Sequence, residues 1–276
     1  MGYERRGSRG GGTVVDRLMA ALFDLPESSP AAALAPELRE WVEASARFRS
    51  FAEAHRDKIR KKLRTAADPE ACRDVRAELL TALLLLADRR LVVEFEAYGS
   101  GKRGPDLTVT FRANQRFNVE VTRVRAAASA PEPAGPAEAD QVAGPDPETS
   151  TTGERGATAG PGRWPNVLLA KLRQLPPSTP NVVLLAGDGV RVEEAELAAA
   201  ARALKVRADR RDDSFFAGRG FAGARGYYAH WLRLSGVYLR SEVDGQAHAA
   251  FWPNPESRHP LSRDAATAVL RCLNES

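Results

Sequence analysis

Two segments, Asp106-Leu-Thr-Val-Thr-Phe and Arg116-Phe-Asn-Val-Glu-Val-Thr-Arg-Val, alternate apolar and polar side chains and are separated only by Arg112-Ala-Asn-Gln. Four residues cannot carry a chain back to the start of a parallel strand, so the pair is constrained to an antiparallel hairpin with one face buried. A third strand-like run, Leu91-Val-Val-Glu-Phe-Glu-Ala, precedes it. A fourth, Asn181-Val-Val-Leu-Leu-Ala-Gly, is apolar without alternation, the pattern of a strand covered on both faces. Helical patterns stand on either side of the hairpin. Asp68 is placed to cap a helix whose first position is Pro69 and whose first turn carries Glu70, and that helix is expected to run to about Asp88. Another is expected from Trp164 to Leu175, where Pro176-Pro177 stops it. Helix, three strands, helix, strand is the order of a layered α/β domain.

The flanks extend this core. Val14, Val15, Leu18, Leu22 and Phe23 recur at helical spacing, and from Pro36 to Arg64 so do Leu38, Trp41, Val42, Phe48, Phe51, Ile59 and Leu63. Residues 13–67 therefore read as a helical N-terminal extension, preceded by a Gly- and Arg-rich tail at residues 1–12 expected to be disordered. Beyond Gly187 the sequence predicts an Ala-rich helix at 191–205 and short helices at 212–216 and 220–231. Strands near 234–241 and 247–252 and a last helix from Ser262 complete it. Residues 126–163 contain no Phe, Trp, Tyr, Ile, Leu or Met and cannot bury enough apolar surface to offset chain entropy, so this stretch is expected to be a disordered insertion. The α/β domain is thus residues 68–125 together with 164–276.

The formal charge of +4 conceals an asymmetry, because the insertion carries a net −4 and the remainder +8. A surplus of that size favours polyanionic partners. The run Arg56-Asp-Lys-Ile-Arg-Lys-Lys-Leu-Arg is either a solvated helix face or a phosphate-contacting surface, and Lys58, Arg60, Lys61, Lys62, Lys102 and Arg103 are the candidate nucleic-acid contacts. Cys72 and Cys272 have no metal-ligand spacing and read as free, buried thiols. The longest apolar run, Ala77 to Ala87, is too short to span a bilayer, and no signal-peptide pattern follows the start, so a cytoplasmic protein without membrane contact is expected.

That same apolar run contains one ionisable residue, Glu78, on a helix apolar nearly all round. A buried carboxylate requires a partner or a metal. Asp106 follows Gly104-Pro105 at a strand start, and Glu120 and Thr122 share one face of the next strand. Acids from a helix and two strand positions form an oxygen donor set suited to Mg²⁺ or Mn²⁺. The competing reading of each is ordinary: an ion-paired helix residue, a turn aspartate and the polar face of a half-exposed strand. The aromatic group Phe215, Phe216, Phe221, Tyr227, Tyr228 and Trp231 is read as core rather than as a base-stacking platform.

Taken together, Glu78 on a helix, Pro105-Asp106 at a strand start and Glu120-Val-Thr122 on the following strand resemble the signature of the PD-(D/E)XK nuclease superfamily, with threonine where that pattern has lysine. The resemblance covers roughly residues 70–186. It implies a restriction endonuclease-like three-layer α/β core, a central mixed sheet flanked by helices. It also implies a metal-dependent phosphodiester hydrolase acting on DNA, possible as a homodimer, with a divalent ion held by Glu78, Asp106 and Glu120. Some members supply the lysine from a neighbouring element, and here Lys171, in Leu168-Leu-Ala-Lys-Leu-Arg-Gln-Leu, is the candidate, with Lys102 second. Asp106, Glu120 and Lys171 are then the expected catalytic residues, supported by Thr122 and Gln174. The alternative is a catalytically silent relative that binds nucleic acid or a partner protein.

Overall fold

The computed structural model describes residues 13–26, 28–97, 104–125, 163–188, 191, 193–243 and 245–275. The basic tail, residues 126–162 of the acidic insertion, Lys102 and Arg103 lie outside these residues.

Among the described residues five α-helices precede the first strand: α1 (Val14–Leu22), α2 (Ala35–Ala44), α3 (Ala46–Ala54), α4 (Arg56–Thr65) and α5 (Pro69–Leu85), with a 3-10 turn at Pro30–Leu34 before α2. The continuous helical region expected over 36–64 is therefore three helices. The first break falls at Ser45, whose hydroxyl leaves the helix to accept the Phe48 amide at 3.1 Å. The second falls at His55, between α3 and α4. As anticipated, the Asp68 carboxylate accepts the Ala71 amide (2.7 Å) at the start of α5.

Strands β1 (Leu91–Phe95), β2 (Leu107–Phe111) and β3 (Gln115–Arg125) come next, then α6 (Arg163–Leu172) and β4 (Asn181–Asp188). The chain continues through α7 (Glu194–Asp209), α8 (Asp213–Ala217) and α9 (Gly223–Trp231). It ends with β5 (Leu234–Val243), β6 (Gln246–Pro253) and α10 (Arg263–Asn274). All six strands form one mixed sheet in the order β1-β2-β3-β4-β5-β6. The pairs β1–β2, β2–β3 and β5–β6 are antiparallel, and β3–β4 and β4–β5 are parallel.

The sheet separates two apolar cores. On one face, Val119, Val121, Val182 and Leu184 pack with α1–α5 and α10. On the other, Val124, Val183, Leu185 and Val237 pack with α6, α7 and α9. Phe216, Phe221, Tyr227 and Trp231 are buried in this second core, with Phe216 stacked on Tyr227 at 4.4 Å, so these aromatics serve packing. Both cysteines are free and buried. Among the described residues no helix is long and apolar enough to cross a membrane.

Candidate functional site

Strand lengths create an opening at one end of the sheet. β1 stops at Phe95 and β2 begins at Leu107, whereas β3 runs on to Arg125. Leu107 pairs with Val119, so Asp106, one residue earlier, stands opposite Glu120 just beyond the ladder. There it is fixed twice. Its carboxylate Oδ2 accepts the Val121 amide (2.9 Å), and its carbonyl accepts the Glu96 amide (2.9 Å). Past this point β3 has no β2 neighbour, and groups from the two faces of the sheet can meet around its edge.

Four side chains do so. Glu78 comes from α5 on the first face, its side chain 13% exposed and paired with Lys62. Glu120 faces the second core, in register with Val183, and is only 3% exposed. Lys171, on α6 over that face, donates to Glu120 Oε1 at 2.8 Å. Lys62, from α4, donates to Glu78 Oε2 and lies 3.3 Å from Asp106 Oδ1 and 3.4 Å from Glu96 Oε1, with its ammonium 5.1 Å from the centre of the Phe95 ring.

The structure thus brings Glu78, Asp106, Glu120 and Lys171 near one another. Thr122 lies two residues from Glu120 on the same face, and its hydroxyl is buried without a hydrogen-bond partner, as is Glu120 Oε2. Gln174 lies beyond the end of α6 and meets Lys171 through its backbone, its amide donating to the Lys171 carbonyl (2.9 Å).

The basic run of α4 is divided. Lys61 is exposed, and Arg60 lies near Asp24 (3.8 Å) and Asp57 (4.0 Å) at the surface. Lys58 instead donates to the carbonyls of Phe95 (2.9 Å) and Glu96 (2.7 Å), and Lys62 enters the acidic cluster. These two are engaged inside the protein and do not stand on one phosphate-contacting face with Arg60 and Lys61. Sequence reading placed Lys62 among the nucleic-acid contacts and did not foresee its place in the acidic cluster. The usable signal was its phase: Lys58 and Lys62 sit four apart, each directly before a residue of the buried stripe, Ile59 and Leu63.

The electrostatics follow from three carboxyl groups, Glu120 buried and Glu78 and Asp106 largely so, meeting two ammonium groups. Burial pushes the Glu78 carboxyl well above the usual carboxylate range, repulsion from Asp106 adds to this, and Lys62 opposes it. Glu120 is pushed up to about 7, again by burial first and Asp106 second, against the pull of Lys171. Burial works to lower both lysines, but Glu78 and Asp106 around Lys62, and Glu120 and Asp106 around Lys171, outweigh it and hold both charged. Both raised glutamates therefore hold their protons to higher pH than a solvated glutamate would.

All the acidic donors are oxygens, the chemistry that Mg²⁺ and Mn²⁺ take, and the partnerless Oε2 of Glu120 offers a buried acceptor. As arranged, however, no group of three or more His, Cys, Asp or Glu side chains among the described residues is set to hold a metal ion. Lys62 lies between two of the acids. No family model, curated protein or solved structure matches the chain.

Proposed function

We propose that the chain is a divergent PD-(D/E)XK-like, metal-dependent phosphodiester hydrolase whose substrate is DNA. The observation that carries this reading is the 2.8 Å contact between Lys171 Nζ and Glu120 Oε1. The sequence lacks a lysine at position 122, and a lysine from the next helix reaches the same strand acid. The order α5, β1–β3, α6, β4 and the meeting of Glu78, Asp106 and Glu120 around the end of β2 support the restriction endonuclease-like reading further.

Glu78, Asp106 and Glu120 would hold Mg²⁺ or Mn²⁺. When bound, such an ion supplies Lewis-acid stabilisation of phosphate charge and acidifies water. The chain's own groups divide the remaining work. Asp106 is positioned by the Val121 amide, Lys171 keeps a positive charge beside Glu120 for a phosphate oxygen or the attacking water, and the Thr122 hydroxyl is an unused donor on the same face.

Plasmid nicking tests the proposal. The purified protein should convert supercoiled plasmid to open circles with Mg²⁺ or Mn²⁺, and Asp106→Ala and Glu120→Ala should abolish this. Lys171→Ala should slow it by roughly 10²-fold or more, the usual loss when a single transition-state donor is removed. Nicking that survives in both acid variants would reject the assignment.

A second reading is favoured by Lys62, whose ammonium already neutralises part of the cluster. It is a catalytically silent protein of the same fold that binds nucleic acid or a protein partner. Salt-dependent DNA binding without any metal uptake by calorimetry would select it.

A further inference from the structure

The ammonium of Lys62 is set among acids as a cation would be. It contacts Glu78 Oε2, lies 3.3 Å from Asp106 Oδ1 and 3.4 Å from Glu96 Oε1, and its side chain is 20% exposed. The placement is built and not incidental. Ile59 and Leu63 are buried and anchor α4 on the first core, while Lys58, one turn earlier, ties the same helix face to the carbonyls of Phe95, the last residue of β1, and Glu96 just beyond it. Lys62 therefore arrives at Glu78 and Asp106 along a fixed helix, with only its own flexible stem free to move.

We propose that Lys62 is a tethered counter-ion of the acidic cluster, which holds Glu78 and Asp106 together in the metal-free protein and must swing out for a divalent cation to enter. The inference rests on the metal-binding reading of the cluster and deepens it: the N-terminal helices, through one side chain, set how readily the site takes up its ion. The physical reason is competition. A monovalent ammonium and a divalent ion cannot both occupy the space between the same two carboxylates, and the ammonium's attraction to them must be given up before the metal's is gained. An exit is available, since the partly exposed stem of Lys62 starts beside Lys61, which is in solvent.

Two measurements on the full chain decide it. In calorimetric titrations with Mn²⁺, Lys62→Met keeps the stem and removes the charge, and should bind Mn²⁺ more tightly than wild type by on the order of tenfold or more. In wild type, acetylation of lysine amines read by peptide mass spectrometry should show Lys62 labelled several-fold faster at saturating Mn²⁺, with exposed Lys61 unchanged. The second measurement stands even if Lys62→Met does not fold. Mn²⁺ binding by Lys62→Met and not by wild type would support the inference and show the site closed by its own lysine. If wild type binds Mn²⁺ and Lys62 labelling does not rise, or the variant binds no tighter, the counter-ion role is overturned while the metal site stands. If neither protein binds Mn²⁺, the metal reading fails and takes this inference with it.

Discussion

Glu120 is 3% exposed, accepts one hydrogen bond from Lys171 and keeps its second oxygen without a partner. Burial and the neighbouring Asp106 raise its carboxyl from 4.5 to about 7. The sign of the consequence is fixed by linkage: the folded protein holds a proton that the unfolded chain has already lost, so this group's contribution to folding becomes less favourable as pH rises from about 4.5 to 7, and the penalty is complete above that. Metal-free protein, kept in chelator, should lose stability across that window. Glu120→Gln, which retains an oxygen for Lys171, should flatten the slope and at pH 8 match or exceed wild type by about 1 kcal/mol, well below the full linkage value because Lys171 then loses its counter-charge. Urea midpoints measured at intervals from pH 5 to 8 test this, and a wild-type profile flat across the window would show that Glu120 is ionised throughout. Individual residues were the most legible part of the site. A single acid in an apolar helix declares itself, whereas the aspartate at a strand start and the glutamate on an alternating strand are ordinary where they stand and gain meaning from their order with it. Lys62 did not declare itself, because a lysine in a basic run looks like its neighbours until the helix is docked.

The elements were legible where local chemistry decides them: the Asp68 cap, the β2–β3 hairpin and the apolar β4 stand where periodicity predicts. What sequence does not carry is strand order, which depends on contacts between segments far apart in the chain, and with it the buried polar row that aligns β2, β3, β4 and β5. Thr108 donates to Asn118 Oδ1 (3.2 Å), Asn118 Nδ2 to Asn181 Oδ1 (2.8 Å), and the Asn181 amide to Ser235 Oγ (2.9 Å). Asn181 Nδ2 also donates to the carbonyls of Pro176 (2.9 Å), Thr179 (2.7 Å) and Arg233 (3.0 Å). Read from sequence, these residues are only polar positions next to strands. In the fold they set the register at the start of the parallel strands, where three carbonyls of two connections would otherwise lose the Asn181 donor. Asn181→Leu fills comparable volume but removes the donor to those carbonyls and one acceptor of Asn118 Nδ2, and should cost roughly 2–4 kcal/mol. A chemical denaturation curve shifted by less than about 0.5 kcal/mol would mean that the row is dispensable and strand packing alone sets the register.

At the scale of the molecule, helices α1–α4 are continuous with the core of the sheet. Phe48, Ile59 and Leu63 are essentially fully buried, and Phe51 meets Phe95 of β1 edge-on at 6.1 Å. Arg47 reaches across to the C-terminal end of α5 and into β1, donating to the carbonyls of Leu86, Asp88 (2.8 Å) and Leu91 (2.6 Å). It thereby satisfies acceptors at a helix end that has no other cap of this kind among the described contacts. Burial of each large apolar side chain contributes roughly 1.5–3 kcal/mol, so the four residues Phe48, Phe51, Ile59 and Leu63 alone supply an amount comparable with the 5–15 kcal/mol net stability of an ordinary domain. A chain starting at Asp68 would leave the outer side of β1 and α5 bare, strand the carbonyls that Arg47 serves and remove Lys62 from the acidic cluster. It should therefore lack a cooperative thermal transition and bind an apolar dye, whereas a chain starting at Thr13 should unfold in one transition close to that of the full protein. A sharp transition for the Asp68 chain within a few degrees of full length would show that the helices are an appended layer. In that case the Lys62 contact would be a docking detail that the sheet and its acids do not need in order to form.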